Sequence, residues 1–435
     1  MPPAEPLLND NFPRMNTLVR IWKTKELRNS VLFIAAMLVI FRITAHIPVP
    51  GVDAAALKNI FSGNNQFFGL LNIFSGGTLE SFSVVAMGVM PYITSSIIFQ
   101  LLGMIVPAIE EMQKEEQGRQ KITQWTRWAT IPLAFIQGYG LILLLSQQGQ
   151  FFTNGGIATI LFAIVSLTAG TMFLMWMGEL ISEKNIGNGI SILILAGIVA
   201  GLPTFLSQSL AVYDRSQLIT MIAFVAVAVL TVVAIVFMNE AQRNIPVQYA
   251  RAVQGSRLSG AVSSHIPLRL NMGGVIPIIF AISIVLFPTV LAQFFLNAKT
   301  DFLREAATWT LQIFQNQTVY GVVYFVLVFL FAYFYTAVIF HPDQVAENIQ
   351  KQGGFIPGIR PGKQTADYLG WVVNRLLLTG ALFLAIIAVL PVIMQQATGN
   401  TNLVIGGTSV LIIVSVVIDA VKQVEAQLTM REYEV

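Results

Sequence analysis

The chain alternates long apolar blocks with shorter polar connections. A helix needs about 20 mostly apolar residues to cross about 30 Å of hydrocarbon. Ten segments meet that need: Ser30 to Ile47, Leu79 to Val106, Thr126 to Ser146, Ile157 to Ile181, Gly189 to Leu206, Gln217 to Asn239, Met272 to Leu296, Thr318 to Phe340, Gly370 to Met394 and Gly406 to Val421. Hydrocarbon satisfies no free backbone group, so each segment must be a helix or part of a closed barrel. The blocks are longer than barrel strands and do not alternate in polarity, which predicts ten helices. The first is expected to stay in the mature chain. It follows a long polar stretch (Met1 to Asn29), carries Arg42 and runs into His46-Ile-Pro-Val-Pro-Gly without a small-residue cleavage site.

Composition sharpens this picture. Of 435 residues, 55% are hydrophobic and only 11% charged, against about a quarter charged in soluble proteins. That excludes a soluble enzyme and a disordered chain. With no Cys there is no disulfide scaffold, thiolate nucleophile or Cys-based metal site. The net charge of +3 says little, but its distribution orients the helices. All 25 basic residues except Arg42, Lys58, Arg215, Lys299 and Arg304 lie in the leader, the tail, or the even-to-odd connections and the helix ends bordering them. The positive-inside bias therefore predicts that both termini are cytoplasmic.

The sequence also carries an internal repeat. The second segment reads Gly88-Val-Met-Pro-Tyr-Ile93 and the seventh Gly274-Val-Ile-Pro-Ile-Ile279. The fifth reads Gly189-Ile-Ser-Ile-Leu-Ile194 and the tenth Gly407-Thr-Ser-Val-Leu-Ile412. Pairing two with seven and five with ten is what two inverted five-helix halves require. Pro91 and Pro277 are expected to bend their helices near the midplane, whereas Pro132, Pro288 and Pro391 read as ordinary kinks.

Candidate chemistry is sparse. The segments hold no buried acidic pair and no Lys or His relay, and His46, His265 and His341 stand apart without ligand spacing. HExxH is absent. The run Pro357-Gly-Ile-Arg-Pro-Gly-Lys-Gln364 lacks the first Gly and the Ser or Thr of a phosphate loop. No cofactor, metal or catalytic residue is expected. The repeat instead gathers aliphatic side chains, Ile93, Ile194, Ile279 and Ile412, which can hold a pore shut by dewetting. Before the second segment, Phe67, Leu70, Leu71 and Phe74 share one helical face and are followed by Gly76-Gly77. This apolar half-helix is too short to span and reads as a movable stopper. Two cytoplasmic connections, 239–271 and 341–370, are long and carry exposed basic residues, and the first is net basic. The first predicts a protruding hairpin with a turn at Gly255-Ser256, and exposed Arg on both suits a large anionic partner.

The chain resembles the SecY family of protein-conducting channel subunits. The residues that carry the resemblance are His46-Ile-Pro-Val-Pro-Gly-Val-Asp53, Asn72-Ile-Phe-Ser-Gly-Gly77, Met87-Gly-Val-Met-Pro-Tyr-Ile93, Gly187-Asn-Gly-Ile-Ser191, Asn271-Met-Gly-Gly-Val-Ile-Pro277, Pro357-Gly-Ile-Arg-Pro-Gly362 and Gly406-Gly-Thr-Ser409. The resemblance implies an all-α membrane protein of ten transmembrane helices, with a short plug half-helix and long cytoplasmic loops. It divides the chain into a leader with an amphipathic helix (1–29), a first half (30–210, plug about 65–77), a second half (211–424) and a tail (425–435). It implies a pore ring of Val89, Ile93, Ile190, Ile194, Ile279 and Ile412, with Val89 replacing the commoner Ile. The plug would include Phe67, Leu70, Leu71, Phe74, Gly76 and Gly77. Thr94, Gln100, Asn271 and Phe287 would lie at a lateral gate between segments two and three and segments seven and eight. Arg243, Arg251, Arg257 and Arg360 would engage the ribosome and the SecA motor ATPase. SecE and SecG subunits, a nascent or precursor polypeptide and membrane lipid complete the implied partners, and the bacterial plasma membrane the implied location. The expected function is passage of unfolded secretory polypeptides, with sideways release of hydrophobic segments into lipid. The rival readings are an inverted-repeat transporter of a small solute and a membrane scaffold without a pore.

Overall fold

The computed structural model describes residues 22–53, 57, 75, 77–79, 81–148, 152, 156–211, 218–249, 253–254, 257–258, 263–296, 300–398 and 407–432. Each of the ten apolar segments contains a helix. The described helices are α1 (Lys25–Thr44), α2 (Met90–Ile105), α3 (Pro107–Lys114), α4 (Glu116–Gln148), α5 (Ile157–Ser182), α6 (Gly189–Ala211), α7 (Leu218–Glu240), α8 (Ile276–Phe295), α9 (Asp301–Gln315), α10 (Gln317–Ile339), α11 (Pro342–Lys351), α12 (Lys363–Thr398) and α13 (Gly407–Glu432). Among the described residues, five helical segments are long and apolar enough to cross a membrane. A sixth qualifies if α2 and α3, bent by 107° at Val106, count as one. Shorter apolar stretches lie in α6, α7 and α8. The protein is an all-α, multi-pass membrane protein.

Packing repeats between the halves. Helix α1 lies against α5 and α6 as α7 lies against α12 and α13. The pairs α2–α4, α4–α5 and α5–α6 recur as α8–α10, α10–α12 and α12–α13. The halves meet where α6 packs on α13 and where α8 packs on α2 and α4. This is the pairing that two repeated five-helix halves require.

Small residues permit the closest approaches. Helices α5 and α6 form a hairpin in which a Cβ added to Gly189 would collide with the Gly178 carbonyl. Asn188 caps α6, its Oδ1 accepting the N–H groups of Ile190 at 3.0 Å and Ser191 at 3.2 Å. Gly189→Ala is therefore expected to destabilise the protein by about 1–3 kcal/mol, read as reduced accumulation in the membrane and earlier thermal aggregation. Gly201→Ala, further along α6 where an added Cβ meets nothing within 4 Å, should be tolerated.

The second apolar segment corrects the expectation from sequence. Its described residues before α2, Leu79 and 81–89, are not helical; α2 begins only at Met90. Leu79, Phe82, Val85, Ala86 and Met87 are nevertheless buried, so hydropathy could not distinguish them from a helix. Irregular backbone survives at this depth because protein satisfies it. Val49 and Val84 N–H groups donate to the carbonyls of Phe82 and Ile47, each at 3.0 Å. Thr78 Oγ1 donates to the Ser75 and Val85 carbonyls at 2.6 and 3.1 Å. The turns pack with Val49 and Leu57 on Ala134, Ile142 and Leu145 of α4 and Ala163, Ile164 and Leu167 of α5.

On the other side of the bundle the predicted hairpin is present. Strands β1 (Gln242–Tyr249) and β4 (Ser263–Arg269) pair antiparallel from Gln242↔Arg269 to Gln248↔Ser263. The short strands β2 (Val253–Gln254) and β3 (Arg257–Leu258) pair with each other beyond them. A third partner, β5 (Gly354–Phe355), joins β1 through Gln248↔Phe355 and Tyr249↔Gly354. The sheet order is β4-β1-β5, so the two long connections form one platform. Ile245 and Val247 point from β1 into a core shared with Leu268, Ile349, Ile356, Leu369, Val372 and Val373.

Candidate functional site

The site is built from four helix starts, matched in pairs. Gly88 and Gly274 have nearly the same left-handed backbone, with φ of 57° and 58°. Glycine adopts that conformation without the steric cost of a Cβ. Val89 (φ −96°, ψ 6°) and Val275 (φ −89°, ψ −12°) then cap α2 and α8, with Pro91 and Pro277 in the first turn. The Val89 carbonyl accepts the Ile93 N–H at 3.0 Å and the Val275 carbonyl accepts the Ile279 N–H at 3.2 Å. The two prolines therefore start their helices instead of bending them, which corrects the expectation. Near a helix N-terminus the missing N–H costs nothing. The other pair, α6 and α13, each opens on the glycine of its motif, Gly189 and Gly407. Ile93 and Ile279 are thus matched on α2 and α8, one turn in from the helix start, and Ile194 and Ile412 are matched on α6 and α13, slightly further in.

Val89, Ile93, Ile194, Ile279 and Ile412 are all at most 7% exposed and belong to one contiguous apolar cluster. Ile190 is half-buried and packs against the same cluster. An added Cβ at Gly178 would lie 2.9 Å from Ile190 Cγ1, which places this side chain over α5. The cluster is lined with carbon, and among the described residues no group of three or more His, Asp or Glu is arranged to hold a metal ion.

The four residues expected at the lateral seam are not directly hydrogen-bonded to one another. Thr94 Oγ1 donates to the Met90 carbonyl at 3.0 Å and accepts from Gln137 Nε2 of α4 at 3.4 Å. Gln100 Nε2 donates to Ser96 Oγ on its own helix at 2.9 Å. Asn271 Nδ2 donates to Asn239 Oδ1 at 2.9 Å and to the Gly274 carbonyl at 3.3 Å, while Asn239 Nδ2 donates to Ser415 Oγ at 2.6 Å. Asn271 thereby ties the entry of α8 to α7 and α13, a polar link that sequence reading missed. Its signal was Asn at both ends of one connection. Phe287 is exposed on α8.

Of the expected stopper, Phe67, Leu70, Leu71, Phe74 and Gly76 lie outside the described residues. Gly77 is described, exposed and left-handed (φ 76°). The neighbouring backbone is held, since Ser75 Oγ accepts the Leu79 N–H at 3.2 Å.

On the sheet platform Arg243 and Arg360 are exposed. Arg257 lies on β3, and Arg251 falls outside the described residues. Arg360 follows a tight turn in which the Ile356 carbonyl accepts the Ile359 N–H at 3.0 Å. Pro357 and Gly358 are its central residues and Gly358 has φ of 83°, the pattern of a type II turn. The hairpin is tied to α13 by Arg269–Asp419 at 3.8 Å, and the end of α7 by Glu240–Lys422 at 2.8 Å.

A family profile for SecY matches residues 83–421, which contain all four helix starts. The chain belongs to the SecY family. It is 42% identical to the protein translocase subunit SecY of Streptomyces galbus, over 97% of this chain and 99% of that one. The Vibrio cholerae subunit of the same name is 43% identical over 94% and 93% of the two chains. Among solved structures, a protein-conducting channel superposes with a TM-score of 0.63 at 17% identity, covering 91% of each chain. Sec61 from a canine ribosome-channel complex gives 0.60 at 16% identity, also covering 91% of each. These two carry the fold, and the bacterial SecY relatives carry the family. The chain is accordingly a subunit of a protein-conducting channel in the bacterial membrane, and the small-solute transporter reading is not favoured.

Proposed function

We propose that the polypeptide passes through the apolar cluster at the four helix starts, with Val89, Ile93, Ile190, Ile194, Ile279 and Ile412 as a closable ring. The observation that carries this reading is the matched placement of the four isoleucines on α2, α6, α8 and α13, two from each half. A channel for any unfolded chain gains from side chains that bind none tightly. Flexible aliphatic groups seal by excluding water and offer a passing chain no specific hydrogen bond. No covalent chemistry is assigned to the subunit.

We infer that sideways release occurs at the seam of α2 and α4 against α8 and α10, a reading supported by the packing of α8 on α2 and α4. A segment offered to both pore and lipid sorts by its own composition. Leu or Ile at a helix centre gains about 0.3–0.6 kcal/mol, while Asp, Lys or Arg costs about 2.5–3.5 kcal/mol. Polar side chains at the seam, Thr94, Gln100 and Asn271, keep the closed seam from becoming a permanent apolar contact. Gln100→Leu should therefore make opening harder. A graded series of Leu/Ala test segments should then need about one to two more Leu residues for half insertion. An unchanged threshold would remove Gln100 from the gate.

The sheet platform is assigned to the cytoplasm with both termini, on the distribution of Lys and Arg. There Arg243, Arg251, Arg257 and Arg360 would meet the ribosome or the SecA motor. SecE and SecG are the expected companion subunits, and residues 65–77 the plug.

A further inference from the structure

Helix α9 joins α8 to α10 on the face of the bundle away from the sheet. Its residues divide among three sides. Ala307 is buried, and Phe314 packs on the main apolar cluster. Asp301, Arg304, Glu305, Thr308 and Gln312 form an exposed polar side, on which Arg304 and Asp301 pair at 2.7 Å. The third side is apolar yet exposed at Phe302, Ala306 and Trp309, with Ile313 half-buried at its end. Phe302, Ala306, Trp309 and Ile313 follow one another at i, i+4, i+7 and i+11, the spacing of a single helical stripe. Phe302 is 77% and Trp309 66% exposed.

We propose that α9 lies in the headgroup boundary of the bilayer leaflet on that face, with Phe302, Ala306, Trp309 and Ile313 immersed in lipid. The proposal rests on the membrane-spanning reading of α8 and α10. Helix α8 exposes Leu291 and Phe295 in its last turns, and α9 begins a few residues later at Asp301. A helix tied so closely to the end of one span and the start of another sits at the water–lipid boundary. A helix with one charged side, one protein-packed side and one Trp/Phe side fits there with each side in its preferred medium. A companion protein chain is the competing occupant, but charged and apolar residues meet along a straight edge on α9, as they do at a planar boundary. The consequence is mechanical. Helix α9 connects the two helices that flank the seam on the second-half side, so its hold on lipid sets the depth at which they move.

The chain contains no Cys, so single labels are clean. The full chain is made with Ala306→Cys, Thr308→Cys or Val229→Cys, spin-labelled, and reconstituted in phosphatidylethanolamine–phosphatidylglycerol vesicles. Collisions with oxygen and with a water-soluble nickel chelate are then measured. Val229, 58% exposed on α7, reports lipid contact by a spanning helix and must favour oxygen if the membrane reading holds. The proposal predicts that position 306 also favours oxygen, at a depth of about 5–10 Å, while 308 favours nickel. Adding Phe302→Asp and Trp309→Asp should shift 306 toward nickel. Nickel preference at 306 in the parent, with oxygen preference at 229, would overturn the proposal and leave the spanning reading intact. Exclusion of both reagents from 306 would also overturn it, in favour of a protein-covered face.

Discussion

Replacing Ile93, Ile194 and Ile279 together by glycine, in a chain also lacking residues 65–76, should turn a sealed vesicle into one that loses its ion gradient. The three side chains lie within the first two turns of α2, α6 and α8 and are buried in one cluster. Removing them opens a water path where only carbon stood, and a dewetted constriction has no other barrier. Each deletion also costs about 2–5 kcal/mol of packing, so the control matters. The matched Ile→Leu triple keeps total volume and should hold the gradient at the same membrane abundance. Leak in the glycine set with retention in the leucine set assigns the seal to these residues. Unchanged conductance of the glycine set in planar bilayers would remove them from it.

The second large effect is expected outside the membrane. Arg360→Glu should abolish export of a secretory precursor without disturbing the fold. The Arg360 side chain is exposed, and its loop is fixed by backbone instead: the Pro357-Gly358 turn on one side, and on the other the Thr365 Oγ1 hydroxyl donating to the Arg360 carbonyl at 2.9 Å. Such a loop presents a guanidinium on a stiff mount, where it can grip a carboxylate or phosphate bidentately. Losing a desolvated charge pair at an interface costs about 2–5 kcal/mol, which is roughly thirtyfold or more in affinity. Transport into inverted vesicles and binding to isolated ribosomes and motor both read this. Arg360→Lys should recover only part of the activity, because an ammonium cannot make the paired contact. Normal transport by Arg360→Glu would withdraw the residue from the partner surface.

The sequence reported some parts of this architecture plainly and others not at all, for physical reasons. Every apolar block contains a helix because hydrocarbon admits little else. The repeat was legible because Gly88 and Gly274 are required by a left-handed backbone and not merely by close packing. What hydropathy could not convey was where a block stops being helical. Phe82 and Val85 are as apolar as any helix residue, yet they sit in turns whose polar groups are satisfied by Val49, Ile47 and Thr78. The role of Pro91 and Pro277 was misread for the same reason: a proline bends a helix or begins one according to a boundary that the apolar pattern hides. Strand β5 was out of reach. It has two residues, Gly354 and Phe355, and its partner β1 lies in a different connection. Conversely, α4 and α12 run past their apolar windows because their polar ends continue as helix into water.

The most direct test of the ring uses a precursor arrested midway through the membrane and a photoactivatable cross-linker on a single Cys replacing Ile194. Ile194 is 5% exposed on α6, while Val199 on the same helix is 45% exposed. Cross-links from position 194 to the arrested polypeptide, with position 199 labelling lipid or companion subunits instead, are the predicted outcome. Cross-links from 199 but none from 194 would mean that the chain travels elsewhere.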